Sequence, residues 1–161
     1  MVIYQETNPG VNLRAAVATV SGTTVSFGSE QQLGSSSEGS EFKLVYSGTA
    51  NKFISFYRST SSYIYARIYT VSGNSVSVSG QITVASNSTN RFDAILDSST
   101  NKIIFAYSDA NDSTKLKSKI LYLDGSTVSA GSVVTVDSNT LKSANDIYCL
   151  LYTSPSPRDR V

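Results

Sequence analysis

The chain has 161 residues, with 13 Lys and Arg against 12 Asp and Glu, no histidine, no tryptophan and one cysteine, for a net charge of +1. Near-neutrality removes the electrostatic drive toward nucleic acid or an anionic membrane surface, and no apolar run approaches the roughly 18 residues of a membrane helix, so neither nucleic-acid binding nor membrane insertion is expected. The absence of histidine excludes Ser-His-Asp and Cys-His catalytic arrangements and the common zinc ligand sets from this stretch.

In chain order, Met1-Val2-Ile3-Tyr4 is matched later by Ile104-Phe105-Ala106-Tyr107, so the chain is expected to open in mid-repeat. Thr19-Val20-Ser21-Gly22-Thr23-Thr24-Val25-Ser26 then recurs as Thr70-Val71-Ser72-Gly73-Asn74-Ser75-Val76-Ser77 and as Leu123-Asp124-Gly125-Ser126-Thr127-Val128-Ser129, with glycines 51 and 52 residues apart. Phe42-Lys43-Leu44-Val45-Tyr46 followed by Ala50-Asn51-Lys52-Phe53-Ile54 recurs 50 residues later as Phe92-Asp93-Ala94-Ile95-Leu96 followed by Thr100-Asn101-Lys102-Ile103-Ile104. Tyr4, Tyr57 and Tyr107 precede their glycines by 18, 16 and 18 residues, which confines the length variation to a loop. A period of this size marks repeated supersecondary units, each burying its apolar face against the next.

Period-two patterning and abundant Val, Ile, Tyr, Phe, Thr and Ser predict an all-β chain. In the middle unit the strands are expected near 53–58, 63–71, 75–84 with a break at Gly80, and 92–96. Ser21-Gly22-Thr23, Ser72-Gly73-Asn74 and Asp124-Gly125-Ser126 read as tight hairpin turns, because glycine accepts the positive φ such turns require. Ser47 to Asn51 and Asp97 to Asn101 read as a second hairpin loop, and the polar runs 34–41 and 87–91 as longer loops. Four antiparallel strands in about 50 residues match a β-propeller blade, of which closed rings carry roughly four to eight. The expected fold is therefore an incomplete propeller of about two and a half to three blades over residues 1–148, cut at both ends. A β-sandwich is the alternative.

The strings Thr19 to Glu30 and Asn101 to Asp109 resemble propeller-type β-repeat proteins of uncharacterised marine phage and bacterial origin. The resemblance implies a virion, tail-fibre or extracellular surface protein whose partners are a glycan or cell-surface ligand and the remaining blades of its own chain. It covers nearly all of residues 1–148, but its motifs specify turns and strands rather than chemistry. The expected function is non-catalytic binding or scaffolding. The alternative is a carbohydrate-processing propeller enzyme with its catalytic residues in other blades.

Two clusters stand out as candidate sites. Tyr63, Tyr65 and Arg67, joined by Tyr57 and Tyr69, place aromatic faces and a cation on adjacent strands, a combination suited to sugars or protein partners. Ordinary strand packing, with Arg67 reaching water, explains the same pattern. Arg14, Arg58, Arg67 and Arg91 fall at different repeat positions, which argues against an arginine cluster. Asp109, Asn111 and Asp112 resemble the early positions of a calcium loop, but the Gly and distal Glu of an EF-hand are missing. Such residues also stabilise turns by bonding their own backbone, so the expected cofactor is none, with Ca2+ as the alternative.

Residues 149–161 are expected to be foreign to the fold, because Cys149 to Asp159 resembles translated transposase-type sequencing-adapter DNA and the repeat pattern stops at Tyr148. With that tail set aside, acidic and basic residues are equal in number and no cysteine remains.

Overall fold

A computed structural model describes residues 1–6, 12–35, 38–59, 61–79, 81–86 and 88–139. Gly80 and residues 149–161 lie outside the described residues. Strands follow one another along the chain: β1 (Val2–Glu6), β2 (Asn12–Ala16), β3 (Ala18–Ser21), β4 (Thr24–Phe27), β5 (Gln31–Ser35), β6 (Glu38–Ser47), β7 (Lys52–Ser59), β8 (Ile64–Ser72), β9 (Ser75–Val78), β10 (Ile82–Ala85), β11 (Ser88–Asp97), β12 (Lys102–Asp109), β13 (Lys115–Asp124), β14 (Thr127–Ala130) and β15 (Val134–Asp137). The one helical piece among the described residues is a 3-10 turn at Ala110–Asp112. The all-β expectation holds.

All the strand pairings are antiparallel and fall into successive groups along the chain. The first sheet runs β1-β2-β5, with the β3–β4 hairpin beside it; the second runs β10-β8-β7-β6, with β9 also on β8; the third runs β11-β12-β13-β14, with β15 also on β13. None of these sheets closes on itself. The third strand, expected over 75–84 with a break at Gly80, is divided into β9 and β10 on either side of that position, and the two share the length of β8. The polar runs expected as loops also enter the sheets: Glu38 pairs with Ser59 and Ser88 with Asp109, each before a register shift that ends at Phe42 or Phe92. Ser- and Thr-rich segments carry no apolar alternation, so their strand character comes only from the neighbour they pair with.

The repeat seen in the sequence is reproduced in the backbone. Gly22, Gly73 and Gly125 have φ of 57, 56 and 57°. Each turn closes the same ladder, Val20 opposite Val25, Val71 opposite Val76 and Leu123 opposite Val128. Six residues after each glycine, the N–H of Gly28, Ser79 and Gly131 donates to the carbonyl of Val17, Ile68 and Ile120, every time at 2.9 Å. The Asn-Lys motif has its own cause: Asn51 and Asn101 adopt φ of 50 and 54°, a left-handed conformation that asparagine tolerates better than most residues.

The sheets stack face to face in sequence order. Leu13, Ala15, Val17 and Leu33 of the first pack against Tyr69 and Val76 of the second. The opposite face of the second sheet, with Ile54, Phe56, Ile64, Ala66 and Ile68, packs against Ile103, Phe105, Tyr107, Leu121 and Val128 of the third. The second sheet is thus apolar on both faces, which explains its near-continuous burial along β7. At one edge of this second contact, Lys43 on β6 meets its repeat equivalent Asp93 on β11 at 3.2 Å.

One turn gives this fold an acid-sensitive point. The hydroxyls of Ser99 and Thr100 and the Ser99 N–H all donate to the Asp97 carboxylate, holding its pKa down to about 2. A carboxyl depressed by folding stabilises the native state above its unfolded pKa and loses that contribution as pH falls through the folded one. Thermal melts are therefore expected to weaken between about pH 4 and 2, and Asp97→Asn should flatten that limb. An unchanged acid limb in the variant counts against the assignment.

Candidate functional site

Aligning the sheets on their glycines brings the two sequence-predicted clusters to a single place. Tyr4 pairs across its hairpin with Arg14, Tyr57 with Tyr65 and Tyr107 with Lys117. Arg14, Tyr65 and Lys117 each stand eight residues before their glycine. The tyrosine cluster and the acidic cluster are therefore the same end of the same hairpin on consecutive repeats.

That end is filled differently in each sheet. In the first, Arg14 pairs with Glu6. In the third, Asp109 caps the 3-10 turn, accepting from the Asn111 N–H at 2.9 Å, while its other oxygen meets Lys117 at 3.0 Å. Asp112 meets Lys117 at 3.0 Å and Lys115 at 2.8 Å. The structure thus seats the Lys117 ammonium between the two carboxylates that a cation loop would offer. The Lys115 and Lys117 contacts hold the Asp112 carboxyl below its usual range, and the Asp109 and Asp112 contacts push Lys117 up. Among the described residues no group of three or more His, Cys, Asp or Glu is placed to hold a metal ion. Added Ca2+ is expected to leave the melting temperature unchanged, and a clear rise would mean that the lysines give way to metal.

In the second sheet, aromatic rings take the place of charge. Tyr63 stacks on Tyr65 with centroids 6.1 Å apart and 15° between planes. Tyr65 lies 5.8 Å from Tyr57, and Tyr57 lies 6.2 Å from Phe42. The loop is fixed by the Ser59 N–H bonding the Tyr63 carbonyl at 2.8 Å and by Arg58 donating to Ser62 at 2.8 Å. Tyr63 and Tyr65 are half-buried. Tyr69, on the same face of β8, is fully buried against the first sheet and shares a 2.8 Å hydrogen bond with Ser55.

Arg67 is engaged elsewhere. Its Nη1 donates to the Leu33 carbonyl of the first sheet at 2.8 Å, its Nη2 to Gln81 at 3.0 Å, and the guanidinium lies 5.3 Å from the centre of the Tyr57 ring. Lys119, the equivalent residue of the third sheet, donates to the Val84 carbonyl of the second sheet and lies 5.7 Å from the centre of the Tyr107 ring. Burial lowers its pKa.

The two acceptors are equivalent as well. Leu33 and Val84 are the extra residues at register shifts, where two positions on β5 or β10 oppose one step of β2 or β8. A bulge of this kind takes a residue out of regular ladder pairing. The cation of the following sheet binds at that point. Sequence reasoning missed this link by comparing arginines only with arginines. The signal was present, since Arg67 and Lys119 both stand six residues before their glycine, and Leu33, Val84 and Val136 all stand eleven after it.

No known protein family, curated protein or solved structure matches this chain. Among the described residues no helix is long and apolar enough to cross a membrane.

Proposed function

We propose that this chain is a non-catalytic repeat module of β-propeller type that binds a neutral glycan or another cell-surface ligand across Tyr63 and Tyr65. Such a module serves as an extracellular or virion-borne adhesin, as in a tail fibre. The propeller reading is supported by antiparallel sheets, the second and third with a path of four strands, that succeed one another with equivalent hairpins and with the same cation-to-bulge link at both contacts between them. Radial repetition extends this kind of stacking.

The observation that carries the binding site is the contrast between repeats. Where the flanking sheets close the hairpin end with ion pairs, the second sheet presents a stacked, half-buried tyrosine pair, with the Ser59 N–H bonded to the Tyr63 carbonyl. Rings with polar tips offer a flat apolar surface and hydroxyl hydrogen bonds at little entropic cost, the combination that sugar faces require. The chain's near-neutrality favours an uncharged ligand.

The test is a glycan array with the full chain, followed by the double variant Tyr63→Ser, Tyr65→Ser. Binding should weaken about tenfold or more while the β spectrum is retained. A glycan bound equally well by both proteins, or no glycan bound at all, removes this reading.

A further inference from the structure

Among the described residues, the interface that occurs twice inside the molecule has one exposed half on the first sheet and the other on the third. Val76 and Val128, three residues after their glycines, face the preceding sheet and are each 8% exposed; their equivalent Val25, in the first sheet, is 52% exposed. Leu33 and Val84 face the following sheet and are 8% and 4% exposed; their equivalent Val136 is 58% exposed. Val136 is itself the extra residue at a register shift, between Thr135 and Asp137 opposite Lys117 and Leu116. The third sheet therefore carries the same bulge that receives a cation in the other two.

The open face of the first sheet carries a cleft of about 370 Å³, lined by Val2, Tyr4, Ala16, Phe27, Gly28 and Glu30. Tyr4 matches Tyr57 and Tyr107, and Ala16 matches Arg67 and Lys119, six residues before the glycine. Leu116, Ser118 and Ile120 of the third sheet match Leu13, Ala15 and Val17, and Ile64, Ala66 and Ile68, the rows that receive the next sheet in both internal contacts.

We propose that the chain associates head to tail, the first sheet of one copy seating on the third sheet of another as a continuation of the internal stack. The occupant is a second copy because the two open faces are the separated halves of one contact already made twice in the same register. Such an interface is heterologous, so it builds rings when the rotation closes and filaments when it does not. With Ala16 in the cation position, the intermolecular contact lacks the link to the bulge and is weaker than the internal ones. This assembly uses neither Tyr63 nor Tyr65 and stands independently of the ligand reading.

Sedimentation velocity of the full chain across a wide range of concentration is expected to show reversible association. Val25→Asp closes one half of the contact and Val136→Asp the other, both at exposed positions that leave the fold intact. Each variant alone should stay monomeric, and an equal mixture should form a one-to-one dimer that grows no further. Ala16→Lys supplies the missing cation and should tighten association of the otherwise natural chain by about tenfold or more. A chain that is monomeric at every concentration, or a mixture that stays monomeric while both variants keep their β spectrum, overturns the proposal. If either aspartate variant loses that spectrum, the Ala16→Lys chain decides alone, and unchanged association in it is a refutation.

Discussion

Phe105→Ala is expected to lower the unfolding free energy by about 3–5 kcal/mol, the range for removing a buried aromatic ring. Phe105 is fully buried and is the hub of the contact between the second and third sheets, with ring centroids 5.4 Å from Phe56, 6.0 Å from Phe92 and 5.7 Å from Tyr107. Its position at the centre of a stack leaves little freedom for neighbours to collapse into the void, since both sheets are held by their own ladders. A domain of this size has roughly 5–15 kcal/mol in total, so the variant is expected to be marginal or unfolded at 37 °C. Denaturant titration followed by far-UV circular dichroism measures the loss. Val20→Ala, at a position 69% exposed, serves as the control and should shift the midpoint little. A small effect from Phe105→Ala would show that the two sheets do not form one cooperative unit.

Arg67→Met should destabilise the chain by about 1.5–3 kcal/mol, the loss associated with a hydrogen bond to a charged group. Methionine keeps the apolar stem but removes the donors to Leu33 and Gln81 and the guanidinium beside Tyr57. The Leu33 carbonyl sits at the bulge, outside regular ladder pairing, so it loses the donor the following sheet supplies. Arg67→Lys should recover much of the loss, because lysine already performs this task at Lys119. Lys119→Met should produce a comparable deficit, and the two should add, since they act on different sheet contacts with no shared partner. Failure of lysine to rescue position 67 would separate the two links and remove the claim that they are one repeated device.

This repeated contact changes what Arg67 means. From the sequence it is a candidate ligand cation beside tyrosines. In the structure its bonds reach an earlier sheet, and the same choice recurs 52 residues later with a different residue type. Lysine can serve the shared part of this contact because the bulge acceptor is a single carbonyl rather than a planar carboxylate that requires a fork of donors, whereas the second bond of Arg67, to Gln81, is one that only arginine makes here. Tyr63 and Tyr65 remain as the aromatic pair at the hairpin end, where neighbouring repeats place ion pairs.

The acidic loop teaches a related lesson. Asp109, Asn111 and Asp112 have the spacing of oxygen ligands, and that spacing is a local property of the chain. The groups that neutralise them, Lys115 and Lys117, stand on the returning strand, and the register of β12 against β13 determines that the ammonium arrives between the carboxylates. Diagonal neighbours across an antiparallel pair are close enough for long side chains to meet. Reading the lysines as part of the same cluster requires knowing the hairpin, and the glycine-anchored repeat supplies enough to draw it.

Sequence by itself determined the strand class, the period and the turns. Positive φ at Gly22, Gly73 and Gly125 and at Asn51 and Asn101 is a local steric requirement that specific residues advertise. It also indicated that matching units stack, since a period-two pattern with no single polar face leaves apolar surface that only a neighbour can cover. Tertiary structure alone decided which face meets which neighbour, that β9 and β10 share the length of β8, and that Arg67 and Lys119 bind bulge carbonyls of the preceding sheet. Those outcomes depend on register and on which sheets meet: Arg67 and Lys119 reach carbonyls 34 and 35 residues earlier in the chain, and such side chains meet their partners only after both sheets have formed.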